Sequence, residues 1–236
     1  MSEAFASLPT IYLTLDTDWC HEEVLQAALQ LFREHDLPVT IFVTGAYAAL
    51  SAREAGRWEI GLHPNCSEVT LAECEHRLAA LQRLHPRAQG VATHAMVCST
   101  PLLDLFRRCG FRYDRNLLCY RVAGMKPFVH HNGLLRLPVF WEDDIWLTVE
   151  AGARFSAAWL PAGPSRCIFN FHPIHLYLNT LTPAHYRAAK PLQHDPEQLA
   201  RHVAGGYGAR AFFLDLAAHI RRRQLATGLL QDFLTA

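Results

Sequence analysis

The order of apolar and polar positions divides the chain into short β-prone runs and stretches of helical period. Residues 11 to 15 form an apolar run that stops at Asp16, Thr17 and Asp18. Val24, Leu25, Ala28, Leu29 and Phe32 follow at helical spacing, so this opening predicts strand, acidic turn and helix. Residues 38 to 44 predict a second buried strand, 46 to 55 a weaker helix ahead of Gly56, and 58 to 62 a third strand ending at His63 and Pro64. Thr70 and Glu73 have capping-box spacing, and Leu71, Cys74, Leu78, Leu81 and Leu84 continue as an amphipathic helix. A strand is predicted from Gly90 to Ala95. Ser99, Thr100 and Pro101 open another helix, which Gly110 is placed to end, and residues 111 to 118 predict the next strand.

From Cys119 to Trp146 glycines, prolines, histidines and acids interrupt the apolar runs, which predicts loops and an irregular hairpin. Residues 166 to 171 resume as a buried strand ending at His172, and residues 211 to 234 supply one or two closing helices. Strands alternating with helices imply a parallel sheet. Asp16, Asp18, His63, His94 and His172 all fall at or just beyond predicted strand ends. A barrel would gather them around one mouth, whereas an open sheet would spread them along an edge, so the α/β arrangement expected is a barrel. With no repeat, low-complexity tract or linker, residues 1–236 read as a single domain.

Composition narrows the function classes. With 236 residues, 50% of them hydrophobic, the chain can bury a substantial core. Lys plus Arg and Asp plus Glu balance at 22 each, so no net field draws the protein to nucleic acid or an anionic membrane. The N-terminus lacks a basic segment followed by an apolar run, and no later run approaches the roughly 18 apolar residues of a membrane span. The expectation is a cytoplasmic protein. The seven cysteines are odd in number and show no Cys-x-x-Cys spacing, which argues against a disulfide framework and a thiolate zinc knuckle and predicts small core residues.

Two carboxylates one residue apart after an apolar strand, Asp16 and Asp18, can turn one group toward a metal and leave the other to take a proton. Such acids equally cap the next helix. His63, at a strand end, suits a zinc ligand, and His172 and His175 can supply a general acid or a further ligand; each histidine is also compatible with a packed, hydrogen-bonded role. His130 and His131 read as an exposed loop pair, and Arg221 to Arg223 as the solvated face of the last helix. No Gly-x-Ser-x-Gly elbow occurs, and a Cys20 thiolate would be repelled by Asp16 and Asp18.

Taken together, Leu13 to Trp19, Glu59 to Asn65, Thr93 to Met96 and Phe171 to His175 resemble the ordered motifs of the polysaccharide deacetylase (NodB-homology, carbohydrate esterase) family, in particular its divergent branch associated with surface-polysaccharide gene clusters. The resemblance spans roughly residues 11 to 180. It implies a distorted, incomplete (β/α) barrel of about seven strands. It also implies one divalent ion, zinc first and cobalt, nickel, iron or manganese as alternatives. Water activated by that ion is the implied nucleophile, with Asp16 as base, Asp18 and His63 as ligands and His172 as acid.

Two departures stand out. The second family histidine falls at Ser67, so another group must complete the ligand set: His94 first, with His175, His21 and the Cys66 thiolate behind it. The arginine that usually orients the base is missing from Ala92 to Met96, leaving Arg112, Arg115 or Arg121 to replace it. Trp141 to Trp146 resembles the family's acidic, tryptophan-bearing segment, so Trp141 and Asp143 are expected to support the acid histidine; a solvated acidic turn is the plainer reading. The resemblance thus implies removal of an N-acyl group, acetyl first, from an amino sugar or sugar precursor in surface-polysaccharide biosynthesis, with a small-molecule or glycan as partner. Hydrolysis of a small non-sugar amide and a non-catalytic, sugar- or partner-binding descendant are the alternatives.

Overall fold

The apolar runs become strands and the periodic stretches become helices in the structure, a computed structural model that describes residues 8 to 51 and 56 to 235. In chain order these are β1 (Thr10–Asp16), α1 (Glu22–Glu34), β2 (Val39–Val43), β3 (Trp58–Leu62), α2 (Leu71–Leu84), β4 (Gly90–Val91), α3 (Thr100–Arg108), β5 (Tyr113–Asp114), β6 (Phe128–Val129), β7 (Leu135–Arg136), β8 (Trp141–Glu142), α4 (Asp143–Val149), β9 (Arg166–Phe171), α5 (Pro173–Leu178), α6 (Pro183–Ala189), α7 (Pro196–Ala200), α8 (Ala209–Arg223) and β10 (Thr227–Gly228). Side-chain caps start the helices where expected: Thr70 Oγ1 accepts from Glu73 N and Ser99 Oγ from Leu102 N.

The strands lie in the order β6-β7-β5-β4-β3-β2-β1-β9-β8, with β10 added to β1; every pairing is parallel except the β6–β7 hairpin. Residues 135 to 142 join the two halves. Their first part pairs with β5 and their last part with β9, while Leu118 bridges Val139 between them. The sheet therefore curls on itself as a distorted (β/α) barrel, incomplete because the regular ladder breaks around Pro138, which has no N–H to donate. The helices pack outside, over a core that includes Leu13, Leu15, Val24, Phe32, Ile41, Trp141 and Phe212. A smaller cluster of Tyr12, Phe42, Tyr113, Leu137, Ile168, Leu230 and Phe233 fills the interior. Its floor is the 3-10 turn Leu230–Leu234, whose Phe233 packs on Tyr12 at 4.5 Å. Leu230 N and Gln231 N donate to Thr40 Oγ1 and Glu59 Oε2 there.

Several local expectations change. The predicted 46–55 helix is one 3-10 turn at Ala48–Leu50, with residues 52 to 55 outside the described set. The strand at 90–95 stops at Val91 because Thr93 N bonds the Asn116 side chain in place of a neighbouring strand; a 3-10 turn, His94–Met96, follows. The 111–118 strand shrinks to Tyr113–Asp114. Leu71 and Leu84 face solvent, and α2 buries Cys74, Leu78 and Leu81 instead. The closing helix ends at Arg223, where Gln224 adopts φ 50°, and β10 and the 3-10 turn complete the chain. Helices α5, α6 and α7, each opened by a proline, were not anticipated. The expectation of unpaired cysteines is also overturned. Cys66 and Cys74 form a disulfide, their Cα atoms brought to 5.3 Å by the loop that enters α2. Among the described residues no helix is long and apolar enough to cross a membrane.

Candidate metal and acid–base site

Strand alternation assembles the site. Successive side chains point to opposite faces of a strand. On β1, Tyr12, Thr14 and Asp16 therefore share the interior face; beside them stand Glu59, Gly61 and His63 along β3, Tyr113 and Arg115 along β5, and Ile168, Asn170 and His172 along β9. The lower residues of each set fill the barrel, and the last polar one reaches its C-terminal mouth.

Asp16 is buried there and firmly held. Arg115 Nη2 donates to both its oxygens, at 2.5 and 2.6 Å, and Asn170 Nδ2 donates to Oδ2 at 3.0 Å while its own Oδ1 accepts from Thr14. Burial raises the Asp16 pKa, but Arg115, His63 and His172 outweigh it and hold the carboxyl below its ordinary value. Arg115 thus stands in the place left by the missing arginine. Arg112, another of the three arginines expected for that role, does not: it is exposed and bonds Gln89. Arg121 pairs with Glu150 and lies over Trp159.

Left-handed backbone at Asp18 and Trp19, φ 43° and 56°, turns the chain sharply after β1 and brings the Asp18 carboxylate over the mouth. Its Oδ1 lies 2.9 Å from His63 Nε2 and 3.1 Å from His94 Nδ1, and donor atoms of the three residues all fall within 4.8 Å of one another. Burial raises the Asp18 pKa, yet the bonds from His63 and His94 bring it well below normal. His63 Nδ1 faces the Ala92 carbonyl at 2.6 Å, and a carbonyl only accepts, so Nδ1 carries the proton. In the neutral ring the Nε2 lone pair then points at a carboxylate oxygen. That juxtaposition is stable only with a positive charge between them, either a second proton on the ring or a metal ion. Two imidazoles and one carboxylate suit zinc and its neighbours, with the remaining position open to water or substrate. The other candidate donors do not join this set. His21 caps α1, Cys66 is disulfide-bonded, and Ser67 sits in the turn closed by its N–H to Asn65 Oδ1. His175 is buried, bonding Asp144 Oδ1 at 2.7 Å and Thr180 Oγ1 at 3.0 Å.

On the opposite side Asp143, at the start of α4, accepts from His172 N at 2.8 Å and from His172 Nδ1 at 2.6 Å. Burial lowers the His172 pKa, but Asp143, Asp144 and Asp18 raise it well above the usual imidazole value. Its Nε2 is directed at the mouth, 3.7 Å from Asp18 Oδ2. Trp141 packs beneath this arrangement, stacked on Phe212 at 4.2 Å, and is a core residue and not a wall of the site. Sequence reasoning missed Asn170 and Glu142. Glu142 is almost fully buried beside Asn170 and His172; burial pushes its pKa up to about 7 against the pull of His172 and Arg115. A polar residue inside an apolar strand was the available signal for Asn170, since a buried amide needs partners. A groove of about 340 Å³ leaves the mouth between Trp19, Thr44, His63, Asn65 and Arg77.

The comparisons with known proteins point to a family. The family model described as WbmS-like: Polysaccharide deacetylase matches residues 13–190. A Bordetella bronchiseptica structure, described as a candidate polysaccharide deacetylase involved in O-antigen biosynthesis, shares 29% identity over 89% of this chain and 90% of its own, with a TM-score of 0.78. A candidate polysaccharide deacetylase of Mycobacterium smegmatis shares 17% identity over 98% and 96%, TM-score 0.50. A 4-alpha-glucanotransferase of Thermococcus litoralis shares 10% over 97% of this chain and 38% of that one, TM-score 0.55. These last two are alike in fold alone. No match emerges from the comparison with curated proteins.

Proposed function

We propose, since this chain belongs to the WbmS-like polysaccharide deacetylase family, that it is a metal-dependent hydrolase removing an N-acetyl group from an amino sugar of a surface polysaccharide or its precursor. The observation that carries the reading is the opposed pair across one mouth: Asp16 clamped as a carboxylate by Arg115 and Asn170, and His172 held protonated by Asp143, with Asp18, His63 and His94 between them.

Asp18, His63 and His94 would hold a divalent ion, which would supply Lewis acidity toward the amide carbonyl and the attacking water. Asp16 takes the proton that water releases as its oxygen bonds the carbonyl carbon. Arg115 keeps that carboxylate ionised and fixed. His172 Nε2 gives its proton to the amide nitrogen as the C–N bond breaks, so acetate and a free amine leave together. The groove beside Trp19 offers an aromatic face for a sugar ring and the Asn65 and Arg77 side for polar groups. The two departures that motivated a binding-only reading are answered in space by His94 and Arg115, which supports the enzyme. The Bordetella relative is linked to O-antigen biosynthesis, which supports a saccharide substrate over a small non-sugar amide.

The test is acetate release from N-acetylated sugar nucleotides and saccharides by zinc- or cobalt-loaded protein, with Asp16→Asn and His172→Gln beside the wild type. Turnover abolished in both variants while metal content stays intact is expected. No release from any acylated amino sugar would overturn the reading.

A further inference from the structure

We propose that His130, His131 and Asp104 form a second divalent-metal site, remote from the mouth, that fastens the β6–β7 hairpin to α3. Donor atoms of the three residues lie within 4.8 Å of one another, with His131 Nε2 3.7 Å from Asp104 Oδ1 and the two imidazole rings 4.2 Å apart. Because β7 runs parallel to β5, the turn that precedes it lies toward the N-terminal ends of the strands, on the far side of the barrel from Asp18 and His63.

The turn is built to hold these groups. His130 N donates to Leu134 O, Gly133 N donates to His130 O, and Gly133 takes φ +85° to close it. Asn132 Oδ1 accepts from Leu134 N while its Nδ2 donates to Asp104 Oδ1 at 2.8 Å, so one side chain both stiffens the turn and aims the carboxylate. His130 Nδ1 is buried and has no hydrogen-bond partner, an unusual state for an imidazole nitrogen and the one a metal ion would satisfy. Arg107, on the same helix as Asp104, passes close to Gly133, so the Asp104 carboxylate is the anionic donor offsetting that charge. Two imidazoles with one carboxylate select zinc, nickel, copper or cobalt over calcium or magnesium, and solvent completes the shell on the exposed His131 side.

The consequence is local. Phe128 and Val129 of β6 are exposed, and the hairpin is anchored to the core through Leu134 at the end of its turn. A bound ion would add a second tie to α3 beside the Asn132–Asp104 hydrogen bond.

Zinc titration and elemental analysis of chelator-treated full-length protein test this, using wild type, His131→Gln, Asp104→Asn and the mouth variant His63→Ala/His94→Ala. Two zinc ions in the wild type, one in His131→Gln and one retained by the mouth variant are the expected result, with acetate release unchanged in His131→Gln. Asp104→Asn keeps an acceptor for Asn132 but loses the charge, so hairpin zinc affinity falls by about tenfold or more. The His130 and His131 imidazole proton shifts should move on zinc addition to the mouth variant. A zinc count unchanged by both hairpin substitutions, or no zinc in the mouth variant, would overturn the proposal. One ion lost only from the hairpin variants would uphold it while removing the mouth site.

Discussion

Arg115 follows directly on β5 and Asp16 ends β1, strands four places apart along the sheet, yet Arg115 Nη2 bonds both Asp16 oxygens. They meet across the barrel interior, so the curl of the sheet is what places the positive charge on the base. Replacing Arg115 by Met should leave a buried carboxylate without its charge partner and cost about 3–5 kcal/mol in denaturant unfolding. The milder Arg115→Lys should fold and move the acid limb of the kcat/KM profile to higher pH. Asp16 has a folded pKa below its unfolded one, so its stabilisation is present above about pH 3.9 and is lost as pH falls through the folded value. A wild-type acid limb in Arg115→Lys would remove Arg115 from the base's support.

Asp143→Asn tests the other side. With its pKa raised in the folded state, His172 contributes stability that is complete below about pH 6.5 and is lost as pH rises through the folded value. An acid must be protonated to act, so activity falls over the same rise. Removing the Asp143 charge should shift the basic limb of kcat to lower pH and reduce kcat by about tenfold or more. A basic limb that stays in place would mean another group is the proton donor.

At the mouth, His94→Ala and Asp18→Asn should each release the ion bound there, read as zinc loss by elemental analysis against His131→Gln as background. Ser67→Ala should keep it, since Asp18, His63 and His94 make a three-residue donor set without it. Zinc retained in His94→Ala would return the third-ligand question to His175.

The cysteines give a simple count. Five of the seven are free, so denatured protein purified without reductant should titrate as five thiols, rising to seven after reduction. Seven at the outset would mean Cys66 and Cys74 stay reduced, as in a reducing compartment.

The legible parts of the site were those written into single strands. An apolar run that halts at Asp16, at His63 or at His172 reports a side chain at a strand end, because alternation and burial are local properties. Arg115 was harder: three nearby arginines were equivalent in sequence, and only the closure of the barrel separates the buried Arg115 from the solvated Arg112. Asn170 was hidden in plain apolar context, and its partners Thr14 and Asp16 are more than 150 positions away. The Cys66–Cys74 pair depends on how the loop enters α2, which spacing does not reveal. Strands at 90–95 and 111–118 came out short because Asn116 captures Thr93 N, a competition between side chain and ladder that propensity does not register.

The floor of the barrel bears on the order in which the protein can be completed during synthesis. β1 leaves the ribosome about 150 residues ahead of β9, its partner along six residues. The turn that seals the interior beneath Tyr12 ends only at Leu234. Until residues 230 to 234 are free, Tyr12, Thr40 and Glu59 lack their cover, so a nascent chain stalled before residue 227 would carry an open, sticky cavity and be a natural client for chaperones.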